Sequence, residues 1–174
     1  MNVLRFSWVT ALVVDCVGWA MWGAATGWAA HRLGPRPVHR ENWISRPREW
    51  ERHGRAYRRP LRMSRWQRLL PEAGSLMAGG VDKRRIRGRS TEALERYAAE
   101  TRRAEYVHWL GLAAAPWFAL WNPAWLAIVM VAYAVTANLP CIVSLRSNRL
   151  RIVHLLARRT ARLGRGTGSA STAP

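Results

Sequence analysis

The chain has 174 residues, room for one compact unit and hardly two, with 49% hydrophobic residues, 11 Trp against 2 Phe, and a formal net charge of +18. So basic a balance fits a nucleic-acid binder as well as a membrane protein, but a nucleic-acid binder has no use for long uncharged apolar blocks. Here charge and apolarity are segregated: 20 of the 28 Lys and Arg lie between His31 and Glu105, 7 lie from Arg146 onward, and the apolar blocks are almost free of charge. That is the pattern of an all-α integral membrane protein with basic cytoplasmic parts, and it excludes nucleic acid as a partner.

The first block, Trp8 to Ala30, runs 23 residues with Asp15 as its single charge, long enough at 1.5 Å per residue to cross a hydrocarbon core of about 30 Å. Small residues near Ala25 and Gly27 would permit cleavage as a signal peptide, but cleavage would leave the basic segment outside the cell, against the charge rule, so a retained helix is expected. Pro35 and Pro37 mark a linker. Trp43, Trp50 and Tyr57 then recur every seven residues, which predicts a helix from about Pro47 to Arg59, aromatic along one side and lying in the interface of an anionic membrane; Gly54 weakens it and Pro60 ends it. Trp66, Leu69 and Leu70 form a second short amphipathic turn. Glu72 to Arg89, with four glycines and Lys83-Arg84-Arg85, reads either as a solvated loop or as amides and cations gathered for phosphates; without a preceding strand it is not a P-loop.

Ser90 caps a helix that carries Glu92 and Glu95 at its start and is expected to run unbroken into the bilayer to about Trp121, kinked at Pro116. Asn122-Pro123 makes a tight turn, and Ala124 to Leu145 is the third apolar run, interrupted by Asn138 and Pro140. Three spans result, at 8–30, 106–121 and 124–145, within one membrane-embedded domain of residues 1–163 that includes a cytoplasmic or interfacial segment 31–105; residues 164–174 form a disordered tail of Gly, Ser, Thr and Ala. The Arg-rich flanks belong in the cytoplasm, which puts the N-terminus outside and makes a multi-pass protein of the cell membrane. Cys16 and Cys141 fall near opposite faces and lack metal-ligand spacing, so neither a disulfide nor a metal site is expected. Asp15 lies in the outer third of its span, where an unpaired carboxylate is costly, and Tyr133 is at a depth to bond it.

On a helix, Thr101, Glu105 and His108 share one face, and Glu105 is one turn from His108, close enough to orient its imidazole. A histidine held by a carboxylate at a membrane edge is a candidate general base, or else a bystander in an anchor built of Tyr106 and Trp109. Asn138 lies roughly 10 Å from the same cytoplasmic boundary, seven residues before Leu145 at 1.5 Å each. Arg102, Arg103, Arg146, Asn148, Arg149 and Arg151 gather there too.

The decapeptide Glu100–Trp109, Glu-Thr-Arg-Arg-Ala-Glu-Tyr-Val-His-Trp, resembles the core motif of the glycosyl-4,4'-diaponeurosporenoate acyltransferases, small membrane enzymes of carotenoid biosynthesis. The resemblance runs from about Glu51 to Arg151 and includes Glu51-x-His53-Gly54, Trp66, Leu70-Pro71-Glu72, Gly79-Gly80-x-x-Lys83, Ala137-Asn138-x-Pro140 and Arg146-x-Asn148-Arg149-x-Arg151. Leu69, Leu145 and Leu150 stand where the family has Lys, Gln and Pro, at positions suited to touch the acceptor. The resemblance implies esterification of a sugar hydroxyl on a glycosylated carotenoid or similar glycolipid with a fatty acyl group, from an acyl-CoA or acyl-carrier thioester as co-substrate and without a bound cofactor. Membrane lipids, the amphiphilic acceptor and the thioester donor are the implied partners. His108, Glu105 and Asn138 are then the catalytic candidates; Arg102, Arg103, Arg146, Asn148, Arg149, Arg151, Trp109 and Trp66 are the substrate-binding candidates. An acyl-cysteine at Cys141 is a weaker route. Composition alone also fits a non-enzymatic membrane adaptor that holds anionic lipid or an acidic partner on its Arg-rich face, and a small lipid methyltransferase or reductase is a third reading.

Overall fold

The computed structural model describes residues 6–32, 43–58 and 90–169. Every regular element among them is helical: α1 (Trp8–Arg32), a 3-10 helix (Glu49–Gly54) leading into the single turn α2 (Arg55–Arg58), α3 (Thr91–Ala114), a second 3-10 helix (Ala115–Leu120) and α4 (Ala124–Ser169). The Trp66 turn, the glycine-rich stretch to Arg89 and residues 170–174 lie outside the described residues. Two helices, α1 and the part of α4 up to Arg162, are long and apolar enough to cross a membrane. Only 17% and 22% of their most apolar windows are buried, whereas the core helix of a soluble protein is mostly buried.

Two of the expected helices change. The helix expected over Pro47–Arg59 is instead a 3-10 helix and one α turn, because His53 (φ 58°) and Gly54 (φ 86°) both take left-handed backbone between them. At Gly54 no other residue fits, since an added Cβ would stand 2.5 Å from the Ser147 carbonyl oxygen. The helix after Ser90 does begin as expected, with the Ser90 hydroxyl accepting from the Ala93 amide at 3.2 Å. It does not run unbroken to Trp121: α-helical bonding stops at Ala114, and Pro116 sits in the first turn of the 3-10 segment that follows, where its missing N–H costs nothing. α4 continues well past Leu145 as one helix, with Pro140 inside it.

Contacts divide the chain into two compact units, each taking part of α3 and part of α4: Met1–Arg40 with Arg103–Ser144, and Glu41–Arg102 with Leu145–Pro174. The first unit has a core of Ala11, Phe118, Leu126 and Met130, against which Trp19 and Trp121 pack. Trp19 stacks on Phe118 at 4.6 Å, and Gly18 leaves room for that ring at ordinary contact distance. Asp15 is buried beside this core. Its Oδ1 accepts from Trp121 Nε1 (2.8 Å) and Asn122 Nδ2 (2.8 Å), and its Oδ2 from the same amide (3.0 Å). Tyr133, the partner expected from depth, instead packs edge-on against Trp19 at 5.5 Å. The second unit has a smaller core of Leu94, Tyr97, Ala98 and Ile152, with Leu156 beside it. Cys16 and Cys141 are both free.

Asp15 holds two donors whose alternative is an apolar surrounding, and a buried unsatisfied donor costs about 1–3 kcal/mol. Asp15→Ala is expected to lower thermal stability in detergent by that amount for each donor lost, while Asp15→Asn, which keeps an acceptor oxygen, loses less; equal melting of Asp15→Ala and the parent chain would refute the role.

Candidate functional site

His108 and Asn138 are the pair of sequence candidates that the first unit visibly joins. His108 is half-buried on α3 and its Nδ1 lies 3.0 Å from Asn138 Oδ1 on α4. The Asn138 Nδ2 donates to the Ala134 carbonyl one turn back, at 2.9 Å. A carbonyl can only accept, so the amide nitrogen must face Ala134 and the amide oxygen must face the imidazole. An amide oxygen likewise only accepts, so Nδ1 of His108 carries the hydrogen. In the neutral ring the other nitrogen, Nε2, then keeps its lone pair, the form a general base needs.

Gly111, one turn past His108, makes this approach possible. A Cβ there would lie 2.6 Å from Asn138 Oδ1 and 3.0 Å from its Cγ, so only a bare backbone admits the carboxamide between the helices. α1 closes in next to it, with Trp22 Nε1 donating to the Leu110 carbonyl at 3.2 Å. A glycine inside an apolar helix was the available signal for Gly111; nothing in the linear spacing singled out Trp22.

The remaining candidates fall as follows. In the first unit Glu105 is almost wholly buried and has an interaction partner, as has the half-buried Arg103, while Trp109 is exposed. In the second unit Arg102 and Arg149 are buried and partnered, Asn148 is half-buried, and Arg151 is exposed. Trp66 lies outside the described residues.

Arg146 has a place that spacing did not suggest. It is buried in the second unit, and its Nε pairs with Glu51 Oε1. Its Nη1 donates to the Ile44 carbonyl (2.6 Å), and its Nη2 to the Arg46 carbonyl (3.0 Å) and Glu51 Oε2 (3.3 Å). Glu51, 0% exposed, also accepts from the Tyr57 hydroxyl and the Arg48 amide. The Ser147 hydroxyl donates to the Gly54 carbonyl at 3.1 Å. A guanidinium so engaged fastens residues 43–58 to α4. Burial alone would push the Glu51 carboxyl up, but the hydrogen bonds from Arg146, Tyr57 and the Arg48 amide, together with the Arg146 charge, hold it below its ordinary 4.5. Burial and Glu51 in turn push the Tyr57 hydroxyl well above its ordinary 10.0.

These residues define a protein, all-helical among its described residues, with a histidine–asparagine pair set between helices and a basic segment clamped by a buried arginine. The chain belongs to the glycosyl-4,4'-diaponeurosporenoate acyltransferase family, whose model matches residues 40–158. Among proteins of that name, one from Staphylococcus haemolyticus (strain JCSC1435) is 32% identical over 105 residues, 60% of this chain and 61% of its own length. One from Staphylococcus aureus (strain USA300) is 28% identical over 107 residues, 62% and 64% of the two chains. One from the bovine Staphylococcus aureus strain RF122 / ET3-1 is 25% identical over 125 residues, 72% and 75%. The chain thus spans less than two thirds of the first two relatives' length. No solved structure matches it.

Three outcomes are expected. Gly111→Ala displaces the Asn138 carboxamide, and imidazole 15N spectra then show His108 losing the Nδ1–H tautomer; an unchanged tautomer would refute the pairing. Glu51 contributes stability that is complete above pH 4.5, its unfolded value, and is lost as the pH falls through the lower folded value. Hydrogen-exchange protection of residues 43–58 therefore persists at pH 5 and fails in stronger acid, and Arg146→Leu, which strands a buried carboxylate at a cost of about 3–5 kcal/mol, removes it at neutral pH. Protection unchanged in Arg146→Leu would show that the clamp does not hold the segment.

Proposed function

We propose that this chain is a multi-pass membrane acyltransferase that esterifies a sugar hydroxyl of a glycosylated carotenoid, or of a similar glycolipid, with a fatty acyl group from an acyl thioester. The observation that carries the reading is the His108–Asn138 pair, with Nε2 left as the basic nitrogen. Membership of a family that bears the acyltransferase name supports it.

The exposed apolar surface supports the membrane part. Trp8, Val13, Met21 and Trp28 on α1 and Trp125, Ile128 and Val131 on α4 are all more than 40% exposed. Hydrocarbon covers such a surface without cost, and water does not. Three spans, α1, the stretch 106–121 and the first part of α4 to Leu145, leave the Arg-rich flanks in the cytoplasm and the N-terminus outside. A glycosylated lipid presents its hydroxyl at the headgroup level, the depth at which the sequence puts His108.

In the reaction, Nε2 removes the proton from the sugar hydroxyl as that oxygen attacks the thioester carbonyl. The imidazolium that forms is steadied through its Nδ1–H by Asn138 Oδ1. Asn138 keeps a second Nδ2–H, beyond the one given to Ala134, for the tetrahedral oxyanion. Collapse of that intermediate expels the thiolate, which takes the proton back from Nε2, so the ester and the free thiol leave and the histidine is restored. Glu105, buried one turn away, positions the helix face that bears His108. The basic residues around Arg149 and Arg151 favour a donor that carries phosphates.

His108→Ala is expected to lower transfer by two to four orders of magnitude, the range of a lost general base, without reducing the protein in the membrane fraction. Mass spectrometry of lipid and pigment extracts from a host carrying either form checks this. A fatty-acyl mass gained by a glycosylated lipid only with the parent chain supports the reading. Identical extracts, with both proteins present, would instead favour a non-enzymatic adaptor that holds anionic lipid on its Arg-rich face.

A further inference from the structure

The second unit gathers two histidines and two arginines that the mechanism above does not use. The rings of His53 and His154 lie 3.9 Å apart between centroids, tilted by 34°. His53 sits at the left-handed turn before α2, and His154 on α4. Arg151, His154 and Arg158 occupy positions i, i+3 and i+7 of α4 and so share one face. His53, Arg55, Arg151 and Arg158 are exposed and His154 is half-buried, so the cluster is open to solvent rather than part of a core.

Among the described residues, no acid is one of the groups that act on His154. Burial and then His53, Arg158 and Arg55 all pull the His154 imidazole below its ordinary 6.5, and each of those neighbours is basic. Glu51, the acid nearest in sequence, is taken by Arg146, Tyr57 and the Arg48 amide. α3 packs on α4 through Leu94, Tyr97 and Ala98 against Ile152. Its charged groups in that part are Glu92, Glu95, Arg96 and Glu100; Glu92 is paired with Arg96, and none of the four is among the groups that act on His154. The two stacked imidazoles and the guanidiniums of Arg55 and Arg158 therefore gather N–H donors and positive charge at one exposed place. A bound dianion supplies negative charge to this cluster and accepts from ring N–H groups and from the arginine forks.

We propose that His53, Arg55, His154 and Arg158 form a binding site for a phosphate group, and that the group belongs to the acyl-thioester donor. Only the identity of the phosphate bearer rests on the transferase reading; the site itself rests on the four side chains. The same chemistry is offered by a phospholipid headgroup, so the test must separate the two sources.

The test uses the full chain in detergent. Coenzyme A, inorganic pyrophosphate and phosphate-free pantetheine are titrated by calorimetry, and association with vesicles containing phosphatidic acid is measured by flotation. Coenzyme A and pyrophosphate are expected to bind and pantetheine is not. His53→Gln combined with His154→Gln, and separately the exposed Arg158→Gln, are expected to weaken both at least tenfold while protection of residues 43–58 stays intact. Vesicle association that falls in these variants, with coenzyme A binding unchanged, would overturn the donor assignment and give the site to a headgroup. Unchanged binding of every phosphate probe in the folded variants would overturn the site. Acyl transfer is read independently: variants that lose coenzyme A binding in a chain that transfers no acyl group would sink the transferase reading and leave the phosphate site standing, while full transfer with unaltered binding would do the reverse.

Discussion

A polar side chain set among apolar helices must find a partner of matching chemistry, because an orphaned donor or acceptor there costs more than most single contacts return. That constraint organises both units of this molecule. Asp15 in α1 is met by Trp121 and Asn122 at the end of the second 3-10 helix. Asn138 in α4 is met on one side by its own helix backbone and on the other by His108. Arg146 is met by Glu51 and by two carbonyls of the segment that precedes α2. Each pairing joins elements far apart in sequence, and each leaves its neighbours with one arrangement instead of several.

The consequence for chemistry is clearest at Asn138. Because the Ala134 carbonyl can only accept, the orientation of one amide sets the tautomer of a histidine on another helix. On the proposed reading, the tautomer a general base needs is set before any substrate arrives, which is how fixed dipoles lower a barrier without reorganising during the reaction. The small volume of Gly111 is part of the same device, since the carboxamide occupies the space a Cβ would fill. A glycine inside a helix costs about 1 kcal/mol relative to alanine, and here that cost admits the carboxamide beside the imidazole.

The second unit shows a different use of charge. There the buried Arg146 is neutralised by Glu51 and serves to hold a short, irregular segment against α4. Fastened in that way, the segment carries His53 on strained backbone to within stacking distance of His154. The left-handed conformation of a residue other than glycine costs on the order of 1–3 kcal/mol and persists only where its surroundings determine it, as Gly54 packed on the Ser147 carbonyl does here.

Several features were legible in the chain by itself. The separation of charge from apolar residues announced a helical protein with spans of membrane length, because helix length and bilayer thickness are set by the same few ångströms per residue. The Ser90 cap is local chemistry, and the decapeptide that ends at Trp109 carried the family. The partners were not legible. The Nδ1 of His108 meets Asn138, thirty residues away on another helix. Depth in the bilayer suggested Tyr133 for Asp15, but Trp121 and Asn122 reach it, since depth along a helix says nothing about which face turns inward. The seven-residue aromatic period of residues 43–57 suggested a helix, but the left-handed backbone at His53 and Gly54 and the pull of Arg146 gave a 3-10 turn. Composition and local pattern thus determined which segments are apolar and which are charged. Only tertiary packing decided which polar atoms meet, because those meetings depend on helix rotation and on room for a side chain, as at Gly111, and neither is recorded in the spacing of residues along one helix.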